Sequence, residues 1–242
     1  MNFLILAAGS APVDTHDGSY PLCLAELDGT PMIEKIIQAC HALPDARVIV
    51  ALRDEDTRVY HLDNVVRLID PQATVVRVRE ATGGAACTAL LAVSHIDDDD
   101  ELVILNGNEL IEVPFASVVG DFRARGLDAG VITFPSIHPR YSYVRLDDRE
   151  RVIEAAEKRP ISRMATAGFY WFARGRDFVA AAQDMIRKNA AVNGLFYICP
   201  ALNQLVLRQR AIGVHPIEAR LYHPFKTERQ LLQYEAAGEE AA

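Results

Sequence analysis

Four apolar runs alternate with segments of helical spacing over the first hundred residues, and this alternation constrains the fold most. The runs are "NFLILA" from Asn2, "ARVIVAL" from Ala46, "ATVVRVR" from Ala73 and "ELVILNGN" from Glu101. Runs without polar alternation fit strands covered on both faces, as in a parallel sheet. Between them, "PMIEKIIQACHAL" places Met32, Ile33, Ile36, Ile37 and Cys40 on one helical stripe behind a proline. "TRVYHLDNVVRLI" reads as a second helix, and "GAACTALLAVSHI" as a third, opened by Thr82, Gly83 and Gly84. Strand and helix in turn predict an α/β fold: a Rossmann-like, doubly wound, mostly parallel sheet.

Beyond Glu109 the spacing predicts a helix in "FASVVGDFRARG", a strand in "DAGVITF", a hairpin in "SYVRLDDRERVIEAAEK" and a strand in "MATAGFYWFARG". A helix capped by Asp177, a helix in "FYICPALNQLVLRQR", a strand in "AIGVHPIEA" and a terminal helix in "TERQLLQYEAA" follow. With 242 residues and no linker or internal repeat, the chain reads as one domain over 1–242. A boundary inside it is expected near Pro135, where the alternation changes character, dividing about 1–134 from about 135–242.

A net charge of −8 and the absence of a basic stripe exclude a nucleic-acid binder acting by phosphate neutralisation. They point to a small-molecule or protein partner. No apolar run reaches a membrane span, so no membrane insertion is expected. Cys23, Cys40, Cys87 and Cys199 are scattered without C-x-x-C spacing, which fits core thiols in a reducing cytoplasm. "DDDD" at 97–100 precedes a strand and reads as a solvated turn. In open α/β sheets ligands bind beyond the carboxyl ends of the strands. Those ends carry "AAGS", "ATGGAA" and "NGN" here, with glycines that let a ligand approach backbone N–H groups.

These segments resemble the sugar-phosphate nucleotidyltransferase family, in the subgroup of surface-polysaccharide pathways. "LAAGSAPVD", "YPLCLAEL" and "GTPMIEKI" are similar to its L-A-A-G-x-G-S-R-F, P-K-P-L and G-K-P-M-I motifs. "EATGGAACTALLA" is similar to its base-binding segment, "LVILNGNELIE" to its metal-binding strand end, and "VIEAAEKRPIS" to its sugar-contacting stretch. The resemblance implies a nucleotide-diphospho-sugar transferase (GT-A-like) fold. It implies nucleotide contacts at Ala8, Gly9, Ser10, Thr82, Gly84 and Ala85, and sugar-phosphate contacts at Asn106, Glu157, Lys158, Gly168 and Asn193.

The matched positions also depart from the family. The loop arginine falls at Val13, the P-K-P lysine at Leu22 and the metal aspartate at Asn108. Nucleotidyl transfer rests on positioned cations and a metal, so the substitutions imply a catalytically degraded protein that binds a sugar phosphate, a nucleotide or a partner enzyme, alone or as a homo-oligomer. Glu109 is expected on the opposite face of a continuing strand from Asn108. Two alternatives stay open. One is an active enzyme, magnesium-dependent, with cations relocated to Lys158, Lys226 or Arg79, and with His16, His138 and His223 as loop candidates. The other is a GT-A glycosyltransferase, whose acidic metal pair Asn106-Gly107-Asn108 does not supply.

Overall fold

The computed structural model describes residues 1–9, 13–15, 18–225, 230, 231 and 234, with backbone alone at 13–15, 18 and 19. Strand β1 (Asn2–Leu6) leads to a hairpin of β2 (Val13–Thr15) and β3 (Gly18–Tyr20), then to the short pair β4 (Glu26–Leu27) and β5 (Thr30–Pro31). Helix α1 (Met32–His41), β6 (Arg47–Arg53), α2 (Asp54–Val59), α3 (Leu62–Ile69), β7 (Thr74–Val78), α4 (Ala85–Leu90) and α5 (Val93–Ile96) follow. Next come β8 (Leu102–Asn106), β9 (Glu109–Ile111), α6 (Phe115–Ala124), β10 (Ala129–Pro135), β11 (Ser142–Leu146), β12 (Val152–Glu157) and β13 (Met164–Phe172). The described chain closes with α7 (Gly175–Arg187), α8 (Ile198–Leu207), β14 (Ile212–Pro216) and β15 (Tyr222–Pro224). Most of the expected terminal helix lies outside the described residues.

The main sheet has nine strands, in the order β12-β11-β13-β8-β1-β6-β7, with β10 and β14 branching from β13. The four apolar runs form its parallel centre: β1 pairs with β6 and β8, and β6 with β7. Strand order therefore reverses at β1 and β8, and the carboxyl ends of these two strands flank the crevice where a doubly wound sheet takes its ligand. The sheet then extends antiparallel, β13 pairing with β8, β10 and β11.

Side chains alternate along β1, so the sheet buries both faces. Phe3 and Ile5 pack in one core with Ile36, Val66, Val118 and Phe122 of the flanking helices. Leu4 and Leu6 pack in the other with Ala86, Ala89, Phe178 and Leu205. Each fully buried Phe, Leu or Ile contributes about 1.5–3 kcal/mol relative to exposure. The expected stripe of α1 is buried as read, from Met32 to Cys40.

Three expectations change. The helix expected over 57–69 is two helices, because His61 adopts a left-handed φ of 52° between them. That conformation cannot continue a helix. The small-residue helix is likewise two, α4 and α5. Asp177 is not a cap: Arg174 occupies that position, and the Asp177 carboxylate accepts from Arg174 Nε at 3.0 Å. The aspartates of "DDDD" do form a surface turn, where Asp98 and Asp100 meet Arg47 and Asp99 meets Arg176.

The outer edge of β12 is guarded by one side chain. Asn203 Nδ2 donates to Ala155 O and Asn203 Oδ1 accepts from Ala155 N, both at 2.8 Å, in place of a neighbouring strand. Asn203→Ala leaves both backbone groups without these partners and is expected to cost about 1–3 kcal/mol. Urea denaturation should show a lower midpoint at unchanged slope.

Candidate functional site

A cleft of ≈ 1060 Å³ opens at the carboxyl ends of β1 and β8, where the strand order reverses. Ala7, Ala8 and Gly9 continue β1 into it, and Asn106, Gly107 and Asn108 continue β8. The two strand ends touch: Gly107 N donates to Leu6 O at 2.9 Å, and a Cβ on Gly107 would stand 2.7 Å from Ala7 Cβ. Ser10 lies outside the described residues, and of Val13 only the backbone is described, in β2.

The segment after β7 forms one wall. Gly84 takes φ 119°, and a Cβ there would lie 2.5 Å from Phe196 O, so the position requires glycine. Phe196 N donates to Gly83 O at 2.7 Å and Ala86 N to Phe196 O at 2.9 Å. Thr82 Oγ1 shares a hydrogen bond with Thr88 Oγ1 at 2.7 Å. Thr82, Gly84 and Ala85 all line the cleft, as do Arg53 and Arg79 from the ends of β6 and β7. Arg53 is held in a fork by Asp56, at 2.8 and 2.6 Å. Arg79 is exposed and makes no ion pair among the described residues.

The opposite wall comes from β11, β12, β13 and the start of α8. Glu157 is buried and accepts from Ser142 Oγ. Lys158, with φ 54°, extends Nζ to Tyr197 OH at 2.7 Å, and this hydrogen bond raises its pKa above the ordinary lysine value. Beneath them Thr166 and Tyr170 share a 2.9 Å hydroxyl contact. Burial, then Asp56, pushes the Cys23 thiol up to about 12; burial, then Glu157, does the same to Cys199. Both line the cleft as neutral thiols, poor nucleophiles at physiological pH.

At the head of β8 the structure corrects the sequence reading. The strand stops at Asn106, and the turn at Gly107-Asn108 brings Glu109 into the same cleft, not onto another face. Asn106 Nδ2 donates to Glu109 Oε2 at 3.0 Å, and Glu109 also sits against Tyr222, whose phenol is pushed well up by burial and then by that carboxylate. Gly168, at φ 68°, makes room for this pair, since a Cβ there would lie 1.9 Å from Glu109 Oε2. Asn108 turns away: its Nδ2 donates to Phe225 O at 2.9 Å, and Phe225 N returns a bond to Asn108 O at 2.9 Å. Magnesium, the metal the resemblance implies, favours charged oxygen ligands in strict octahedral geometry. Among the described residues this strand end offers one carboxylate and two neutral amide oxygens, a single negative charge where the ion favours charged ligands; it fits the ion poorly.

Leu22 is buried, 5 % exposed, in the cleft floor. Asn193 occupies an exposed turn at φ 50° and does not line the cleft. His138 accepts from Arg140 N at 3.2 Å outside the cleft lining, and His223 Nε2 lies 3.4 Å from Glu112 without a well-formed hydrogen bond. Lys226 and His16 lie outside the described residues. Sequence reading missed Arg53, Arg140, Tyr141, Ser142, Tyr170 and Tyr222, all lining the cleft. The strand-end rule could have found Arg53; the others are placed by antiparallel pairing, which leaves no motif.

A crevice at the switch point of the sheet, with a glycine-bearing wall facing a Glu-Lys wall, marks a doubly wound α/β protein with a ligand-sized cleft at its strand ends. The chain belongs to the nucleotidyl transferase family, whose profile matches residues 5–197. No curated protein sequence matches it significantly. Its fold is similar to that of the nucleoside-diphosphate-sugar pyrophosphorylase from Vibrio cholerae RC9, with a TM-score of 0.78 and 19% identity over 98% of this chain and 100% of that one. It is also similar to the inositol-1-phosphate CTP transferase from T. maritima, with a TM-score of 0.75 and 13% identity over 98% and 95% of the two chains.

Two outcomes test this geometry. Gly168→Ala should destabilise the protein by at least about 1 kcal/mol, through the positive φ and the displaced Glu109, measured by urea denaturation. A native thiol titration with DTNB at pH 8 should label half-exposed Cys87 first, with Cys23, Cys40 and Cys199 reacting only on unfolding. Rapid labelling of Cys199 would contradict a closed cleft floor.

Proposed function

We propose that the cleft binds a nucleotide, a sugar phosphate or their conjugate in sugar-nucleotide metabolism, and that the protein does not transfer nucleotidyl groups. The observation that carries this reading is the bonding of Asn108. Its partner is a carbonyl, which only an N–H can face, so the amide cannot be exchanged for a carboxylate without setting oxygen against oxygen. Buried Leu22 and a strand end with a single carboxylate support the same conclusion, because phosphoryl chemistry depends on placed cations and metal. Ala8, Gly9, Thr82, Gly84 and Ala85 would face the nucleotide, and Asn106, Glu157, Lys158 and Gly168 the sugar phosphate. On this reading 1–134 and 135–242 act as nucleotide and acceptor halves of one domain, working in the cytoplasm in polysaccharide biosynthesis.

A second reading, an active transferase with relocated cations, is favoured by one feature: Arg79 stands in the cleft without an ion-pair partner among the described residues. The two separate in one assay. Each common NTP with hexose 1-phosphates and Mg²⁺ should release no pyrophosphate above the blank. Metal-dependent turnover that is lost in Arg79→Ala would establish the second reading instead. In a parallel thermal-shift panel, a ligand present at 100 times its Kd should add about 2.7 kcal/mol of stability. Stabilisation by sugar phosphates or nucleotide sugars without Mg²⁺ is the expected result.

A further inference from the structure

A second, smaller cavity of ≈ 230 Å³ lies beside the head of β8, against α1. It shares Asn106, Glu109 and Gly168 with the cleft, so the hydrogen-bonded Asn106–Glu109 pair belongs to the walls of both. Ile36 and Ala39 of α1, Leu105 of β8 and Phe115 of α6 give it apolar sides. Tyr234 lines it as well, held edge-on to His223 at 4.8 Å and to Phe225 at 5.6 Å, with its hydroxyl donating to Glu112 Oε1 at 2.9 Å.

The charges around this cavity are unequal. The lining holds two carboxylates, Glu109 and Glu112, and one ammonium, Lys35, which is drawn at 3.0 Å to Asp28, a residue outside the lining. At Glu112 both nearby donor groups, Tyr234 and His223, approach the same oxygen, Oε1, at 2.9 and 3.4 Å. Its Oε2 has no hydrogen-bond partner among the described residues. Arg220, whose charge also interacts with Glu112, is itself paired with Glu218 at 2.8 Å. A recess with excess negative charge attracts a cation, and aromatic side chains such as Phe115 and Tyr234 accept one at their faces. Apolar sides favour an alkyl chain. The volume falls below the roughly 300–1,000 Å³ of pockets for drug-sized ligands, so a nucleotide is too large for it.

We infer that this cavity is a binding site for a small aliphatic amine, with the ammonium at Glu112 and the alkyl chain between α1 and Phe115. The site does not rest on the reading of the cleft. Because Glu109 borders both spaces, the bound amine stands one side chain away from the cleft.

The test is an NMR amide-shift titration of the full chain at pH 7, which reads weak binding, with butylamine, butanol and butyrate. The three probes share a chain length and differ in charge. Butylamine should bind saturably, with shifts centred on Ile36, Ala39 and Ile111, and about tenfold or more tightly than butanol, the margin of one charge-assisted contact. Butyrate should not bind. Glu112→Gln should bring butylamine down to the affinity of butanol and leave butanol unchanged. Ala39→Phe fills the cavity and should abolish binding of both, with Ala39→Leu as the smaller plug. Urea midpoints close to the parent's establish that the variants are folded. Equal affinity for butylamine and butanol, butylamine affinity in Glu112→Gln within twofold of the parent's, or shifts that survive the filled cavity each overturn the assignment. Absence of saturable butylamine binding overturns it too, and none of these results bears on the ligand of the cleft.

Discussion

The structure depends on one strand that changes the sheet's rule. Up to β8 every central pairing is parallel, each return made by a helix. Strand β13 then enters antiparallel, with Phe169 to Phe172 registered against Leu105 to Leu102 of β8 on one edge, and the strand from Met164 to Phe172 registered against β10. All but the first of its nine residues are buried. Because it pairs on both sides, the parallel half and the antiparallel half share one hydrogen-bonded sheet. The two walls of the cleft are thereby fixed to a common floor, and Gly168 sits where that strand crosses beneath the crevice.

The walls are also joined from above. Residue 196 bonds to the Gly83–Ala86 segment on one side, and residue 197, next in the chain, holds Lys158 on the other. The glycine-bearing segment and the Lys158 ammonium are thus linked through two adjacent residues. Two loops that are far apart in sequence form one hydrogen-bonded rim.

Much of this was legible in the sequence where a period or a motif carried it. The parallel strands were marked by uninterrupted apolar runs, α1 by its stripe, and the cleft walls by glycines at strand ends and the Glu157-Lys158 pair. What escaped has physical reasons. Helix breaks at His61 and near Leu91 come from local backbone conformations that apolar spacing does not register. Glu109 falls on the cleft side because β8 ends at Asn106 and turns at Gly107, where only a residue without a Cβ fits against Ala7; apolar spacing does not mark that end. Asn193 was placed by motif order, but its left-handed turn carries it to the surface. Arg140 and Tyr141 become neighbours of Lys158 only through hairpin register, which no local pattern announces.

The reciprocal bonds between Asn108 and Phe225 span 117 positions of the chain. They make the residue at the head of β8 part of the mooring for β15, so its identity answers to two parts of the molecule. Any mutational route toward a charged group at this position must first pass through a sequence in which the C-terminal strand is pushed from its anchorage. A carboxylate at the strand end is thus compatible with this packing only together with a second change in the segment that lies over it, because Phe225 O faces the side chain. Two distant parts of the chain share the choice of one residue.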